Sequence, residues 1–215
     1  MEIRRTANAG VLLKLDGISI LMDGVCREVK PYPATPPDER AKICESYPDM
    51  VCYTHAHKDH YDPTFAAGYQ KQTGGVILGP ADLPGCVSSM ECLHAGAVTV
   101  RAVESRHIGG AGKTVSHASF IVTGSQCVWF LGDSSPVMWK NRSDLPKPDV
   151  LIVPYAYTIT PSGWAITKSL GARKVILLHM PEREDDTIGL WDATESTTGT
   201  PEDLLIPAMG EVVYL

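Results

Sequence analysis

The spacing of apolar and polar positions changes along this chain, and the changes mark its elements. Residues 11–15 and 18–22 are apolar runs flanking Asp16-Gly17, a dipeptide suited to a two-residue turn between antiparallel strands. Residues 119–123 and 127–131 repeat the arrangement around Gly124-Ser125-Gln126. Residues 97–105 alternate like a half-buried strand, whereas 50–53, 150–153 and 174–178 are short unbroken apolar runs of the kind buried on both faces. Between them lie helical stretches at 37–45, 63–72 and 161–170, each opening on proline, and Asp62 stands as N-cap before Pro63. The segment 183–201 is acidic and rich in Thr and Gly; it reads as a surface loop, or as a flap over a site. Strand-rich halves each followed by helices predict two sheets packed face to face with helices outside.

Length and charge narrow the field. The 215 residues suit a single domain spanning 1–215, with a substantial core. No apolar stretch approaches the ~18 residues of a membrane span, and 1–5 reads as a first strand rather than a secretory signal. A cytoplasmic location is expected. The net charge of −6, with no block of Lys or Arg, argues against a nucleic-acid partner; the oligomeric state is not legible. Cys26, Cys44, Cys52, Cys86, Cys92 and Cys127 form no C-x-x-C pair and read as reduced thiols.

The chemistry concentrates at His55-Ala56-His57-Lys58-Asp59-His60, three imidazoles and a carboxylate where an apolar strand runs out. His55 and His57, two apart, can point the same way toward one ion; Asp59 and His60 begin the next turn and can face a second. Three later candidate strands, 97–105, 127–131 and 174–178, run out at comparable residues: His107, Asp133 and His179. Every candidate thus follows the carboxyl end of a strand, where open α/β sheets place their sites. His117 reads either as a packed residue or as a contact to a ligand or substrate, and His94 as structural or exposed. Asp23, ending the 18–22 strand, reads either as a turn residue or as a carboxylate that orients a ligand. Tyr155 and Tyr157 follow the 150–153 strand and could reach a substrate oxygen. The Gly109-Gly110-Ala111-Gly112-Lys113 segment could approach an anion through backbone amides.

The H-x-H-x-D-H pattern, together with the later His, Asp and His, resembles the metallo-β-lactamase superfamily from Asn8-Ala9-Gly10 to His179. The resemblance implies an α/β fold, a four-layer αββα sandwich of two mixed sheets. It implies one metal held by His55, His57 and His107, a second by Asp59, His60 and His179, and Asp133 bridging both. The implied cofactors are two divalent ions, zinc first and manganese or iron as alternatives. The implied activity is hydrolysis of a small ester, lactone or phosphoester by a hydroxide activated between two metals ~3.5–4 Å apart. Asp59, Asp133 and His117 are the catalytic candidates, and a small, anionic substrate is expected. A non-catalytic or redox metal-binding member of the same fold is the alternative. The order of motifs is most similar to the compact branch that includes L-ascorbate-6-phosphate lactonase-like proteins. Tyr61-Asp62-Pro63 follows His60 where glyoxalase II and quorum-quenching lactonases usually carry a Gly, and many true β-lactamases lack a His at that place.

Overall fold

The computed structural model describes residues 1–84, 86–88, 92–109 and 115–215. Among the described residues, fourteen strands form two mixed sheets. In the first sheet β1 (Glu2–Arg5), β2 (Val11–Leu15), β3 (Ile18–Met22), β4 (Met50–Cys52), β5 (Val76–Gly79) and β6 (Val87–Ser88) lie side by side, and β14 (Val212–Tyr214) covers the free edge of β1. The second runs β13 (Leu204–Leu205), β12 (Lys174–Leu178), β11 (Val150–Pro154), β10 (Cys127–Phe130), β9 (Ser116–Thr123), β8 (Val98–Arg106), β7 (Cys92–Ala95). Each sheet pairs an antiparallel half with a parallel half: β3 to β6 are parallel in the first, β10 to β13 in the second.

The central layer of the core is where the sheets face each other. Ile3, Leu13, Ile20, Met22 and Leu78 from one sheet meet Val100, Phe120, Val128, Phe130 and Ile152 from the other. Helices α1 (Pro37–Glu45) and α2 (Pro63–Thr73) cover the outer face of the first sheet, where Ile43, Phe65, Ala66 and Tyr69 pack on Leu21, Val51, Tyr53 and Ile77. Helices α3 (Pro161–Ser169) and α4 (Leu190–Thr198) flank the second, over a cluster with Trp129, Trp139, Leu151 and Leu177. The result is the expected αββα sandwich. Among the described residues no helix is long and apolar enough to cross a membrane.

Local chemistry explains the boundaries. Asp16 and Gly17 both have positive φ, as a tight hairpin between β2 and β3 requires. The Asp62 carboxylate accepts from the Thr64 and Phe65 amides, capping α2 as read from the sequence. Two differences stand out. The 183–201 segment is not irregular: it carries a short 3-10 turn and α4, whose first amides, Leu190 and Trp191, are held by the Asp186 carboxylate. A capping acid outweighs the Thr-rich composition there. His94 lies in β7 rather than in an irregular segment; it is exposed and pairs with Thr99.

At one rim the two sheets are stitched together. The Ala118 amide donates to the Thr54 carbonyl at 2.9 Å, and the His179 amide donates to the Asn8 carbonyl at 3.0 Å. Gly132 sits against Thr54 with φ +50°, where an added Cβ would come within 2.5 Å of the Thr54 side chain. Only glycine allows that approach. All the candidate ligands gather on this rim.

Candidate metal centre

His55, His57, Asp59 and His60 come from the turns after β4, His107 follows β8, Asp133 follows β10 and His179 follows β12. The structure brings all of them together. Their donor atoms fall into three overlapping groups, each within 4.8 Å: His55 with His57 and His107, His55 with His60 and Asp133, and Asp59 with His60 and His179. Asp133 stands in the middle. Its Oδ2 is 3.4 Å from His60 Nε2 and 3.5 Å from both His107 Nε2 and His179 Nε2. One oxygen thus faces imidazoles of both outer groups.

The ring orientations follow from proton accounting. Asp23 is fully buried at the end of β3 and accepts from the Thr54 amide (2.8 Å), the Thr54 hydroxyl (2.6 Å) and His60 Nδ1 (2.8 Å). Having given its proton to Asp23, the Thr54 hydroxyl accepts from His55 Nδ1 at 2.9 Å. His107 Nδ1 donates to the Ile108 carbonyl. In all three rings Nδ1 carries the anchored proton, so Nε2 turns a lone pair toward the centre, as metal-binding histidines do. His60 Nε2, His107 Nε2 and Asp133 Oδ1 are buried and have no hydrogen-bond partner among the protein groups. Buried donors and acceptors left unmatched are costly, and several converging on one point fit a divalent cation.

Electrostatics point the same way. Burial opposes ionisation of Asp133, yet His179 and His60 hold its carboxyl well below the usual carboxylate range. Burial likewise opposes charge on His60 and His179, but Asp133 raises both, with help from Asp23 for His60 and from Asp59 for His179, which reaches about 9. Positive charge is favoured at the atoms that face Asp133. His55 differs: burial and the neighbouring His60 drive it well below its ordinary value.

His179 has φ +61° and Asp23 φ +49°, left-handed conformations that a residue with a Cβ adopts at a cost. Both sit on strand ends in the site. Tyr32 packs edge-on against the His179 ring at 4.4 Å, and Tyr155 at 5.6 Å. Burial and nearby carboxylates raise both phenols, so both stay protonated at neutral pH. Tyr157 instead points inward and pairs with Ser134. Beside Tyr32 opens a groove of about 750 Å³, with Glu28, Lys30 and Pro33 on one wall and Asp185 and Thr187 on the other. Tyr32 and Thr54 carry no sequence motif, and nothing in the residue pattern separates them from ordinary packing residues. Of the segment Gly109 to Lys113, which could approach an anion, residues 110–113 lie outside the described residues. All six thiols are free; Cys26, Cys52 and Cys127 are buried, Cys44 and Cys92 exposed.

The model of the beta-lactamase superfamily domain matches residues 2–177. The chain belongs to that superfamily. Its fold is that of solved structures at low identity. A possible metal-dependent hydrolase from Veillonella parvula is 18% identical with TM-score 0.72, covering 100% of this chain and 99% of the other. An isothiocyanate hydrolase from Delia radicum gut bacteria is 17% identical with TM-score 0.67, over 100% and 99%. The metallo-beta-lactamase fold protein YhfI from Bacillus subtilis is 17% identical with TM-score 0.65, over 99% and 98%. At these identities the likeness concerns the fold alone. No curated protein matches the sequence significantly.

Proposed function

We propose that this superfamily member is a metal-dependent hydrolase holding two divalent ions and acting on a small ester, lactone or phosphoester. The observation that carries the reading is the position of Asp133 Oδ2, within 3.5 Å of imidazole nitrogens from His60, His107 and His179. A carboxylate so placed could be shared by two cations. His55, His57 and His107 would hold one, and Asp59, His60 and His179 the other. Imidazole and carboxylate donors suit zinc first, with manganese or iron as alternatives. Bound there, two such ions would supply a water of pKa ~7 and would polarise a carbonyl or phosphoryl oxygen.

The remaining work falls to the chain. Tyr32 and Tyr155, protonated and packed against His179, can donate a hydrogen bond to a substrate oxygen. The groove beside Tyr32 is large enough for a small organic molecule. The expected anionic character of the substrate finds no counterpart in its walls, where Glu28 and Asp185 outnumber Lys30. The reading therefore places no charge requirement on the substrate.

Elemental analysis of the purified protein tests the reading together with turnover of p-nitrophenyl acetate, a δ-lactone and bis(p-nitrophenyl) phosphate. Two metal equivalents per chain and chelator-sensitive turnover of at least one ester are expected. Turnover that survives exhaustive chelation would sink the reading, and iron without hydrolysis would move it to the redox alternative.

A further inference from the structure

We propose that the Nε2 lone pair of His117 is a hydrogen-bond acceptor for the attacking water, and that Ser105 and Ser119 are positioning residues that fix its tautomer. The proposal rests on the hydrolase reading for the identity of the donor, and on hydrogen-bond geometry for the rest.

His117 lies on β9 directly opposite Ser105 on β8. Its ring is almost fully buried, with its centroid 5.1 Å from that of His55 and 5.8 Å from that of His107. A chain of polar groups runs away from it under the site. His117 Nδ1 is 2.8 Å from Ser105 Oγ, which is 3.0 Å from Ser119 Oγ, which donates to the Leu131 carbonyl at 2.8 Å. The direction of every proton follows from that last link. A carbonyl only accepts, so the single Ser119 proton points to Leu131. Ser119 must then accept from Ser105, which uses the single Ser105 proton. Ser105 must in turn accept from His117 Nδ1–H. The ring is left with a bare lone pair on Nε2, an atom that is buried and has no partner in the protein.

His117 joins none of the three ligand groups among the described residues. A buried acceptor beside His55 and His107 awaits an O–H or N–H donor, and hydrolysis brings one as its co-substrate. During the reaction the water oxygen forms a bond to the electrophilic carbon or phosphorus, the bond to the leaving oxygen breaks, and that oxygen takes up a water proton. A hydrogen bond from the water to Nε2 orients the water for this attack. A ring turned to the opposite tautomer would present N–H instead and repel the same water hydrogen.

The test is spectroscopic first. Long-range ¹H–¹⁵N correlation spectra of histidine-labelled protein, zinc-loaded and after chelation, should show His117 protonated on Nδ1 and bare on Nε2. An Nε2–H ring in the wild type overturns the proposal whatever the activity. In Ser119→Ala the Ser105 proton loses its acceptor and turns to His117 Nδ1, so the ring should flip to Nε2–H. Leu131 is not orphaned, because its carbonyl keeps the Ser134 amide at 3.2 Å. On p-nitrophenyl acetate, or whichever panel ester is turned over, kcat should then fall roughly 10–100-fold, with KM and zinc stoichiometry unchanged. A flipped ring with unchanged kcat, or a rise in KM alone, overturns the role assigned to water. The two readings fail differently. A correct tautomer without turnover of any panel substrate removes the hydrolase reading and the water's role with it; a wrong tautomer with turnover intact removes only the present proposal.

Discussion

The two outer groups of the centre are built differently. Asp59, His60 and His179 are all buried, and each imidazole has a partner behind it: the Asp23 carboxylate on His60 Nδ1 at 2.8 Å, and the Asn8 side-chain amide on His179 Nδ1 at 3.4 Å. In the other group His55 is buried, His107 is half-buried and His57 is exposed, and the partner found for the His57 ring is His55 itself, at 2.9 Å. The first group is part of the fold; the second is laid over its edge. On the proposed two-ion reading, the rigid, buried set would fix a cation as scaffolding does, whereas the solvent-facing set would leave room for exchange. Asp133 joins the two, so it belongs to both regimes.

The contrast can be broken most completely at Asp133. Asp133→Ala removes the oxygen that faces His60, His107 and His179. Both metal equivalents should be lost and turnover should fall to background, read by elemental analysis and by the ester assay on the same sample. Retention of two metals with full activity would show that the carboxylate bridges nothing.

The next two substitutions separate the groups. His57→Ala takes a candidate ligand from the exposed side, so on the two-ion reading one metal equivalent and most of the activity should go. The melting temperature of the chelated protein should barely move, since exposed substitutions fall within about ±0.5 kcal/mol. Asp23→Asn acts on the buried side without removing a ligand. Asp23 Oδ2 receives two donors, the Thr54 hydroxyl and His60 Nδ1, and Oδ1 receives the Thr54 amide. Either orientation of the new amide sets its NH₂ against a donor. Affinity for one metal should weaken roughly 10–100-fold, and the chelated protein should lose about 1–3 kcal/mol of stability by chemical denaturation. Equal stability losses in the two variants would erase the difference between scaffold and edge.

How much of this was legible from residues alone follows the same division. Strand ends announce themselves, because an apolar run stops and a His or Asp follows; the ligand candidates His55, His57, Asp59, His60, His107, Asp133 and His179 were read that way, and the structure brings them together. Helices α1, α2 and α3 were readable from proline openings, and the two hairpins from their turns. Short edge strands were not, since the three residues of β14 hold no alternation and exist by pairing with β1. Helix α4 was hidden because its cap, Asp186, reaches forward from outside the helix. The groups that aim the ligands were hidden for a deeper reason. Thr54, Ser105 and Ser119 are common residues whose roles depend on which strand lies opposite, and register across a sheet is not written in one strand. For Asp23 the residue pattern allows both a turn role and ligand support, and the His60 ring 2.8 Å away decides between them.

The smallest expected effect is the most useful control on that lesson. His94 is as capable a metal ligand as His57 by residue type, and both are exposed. It sits on β7, where its Nδ1 meets Thr99 across the ladder at 3.0 Å, and it belongs to none of the three candidate ligand groups among the described residues. An exposed imidazole with one hydroxyl partner contributes little, so His94→Ala should keep both metal equivalents, wild-type kcat and KM, and stability within about 0.5 kcal/mol. Run beside His57→Ala, it compares two exposed histidines that differ in position and not in chemistry. Loss of metal or turnover in His94→Ala would mean that the centre extends along the second sheet to β7, and the boundary drawn around it at His107 would have to move.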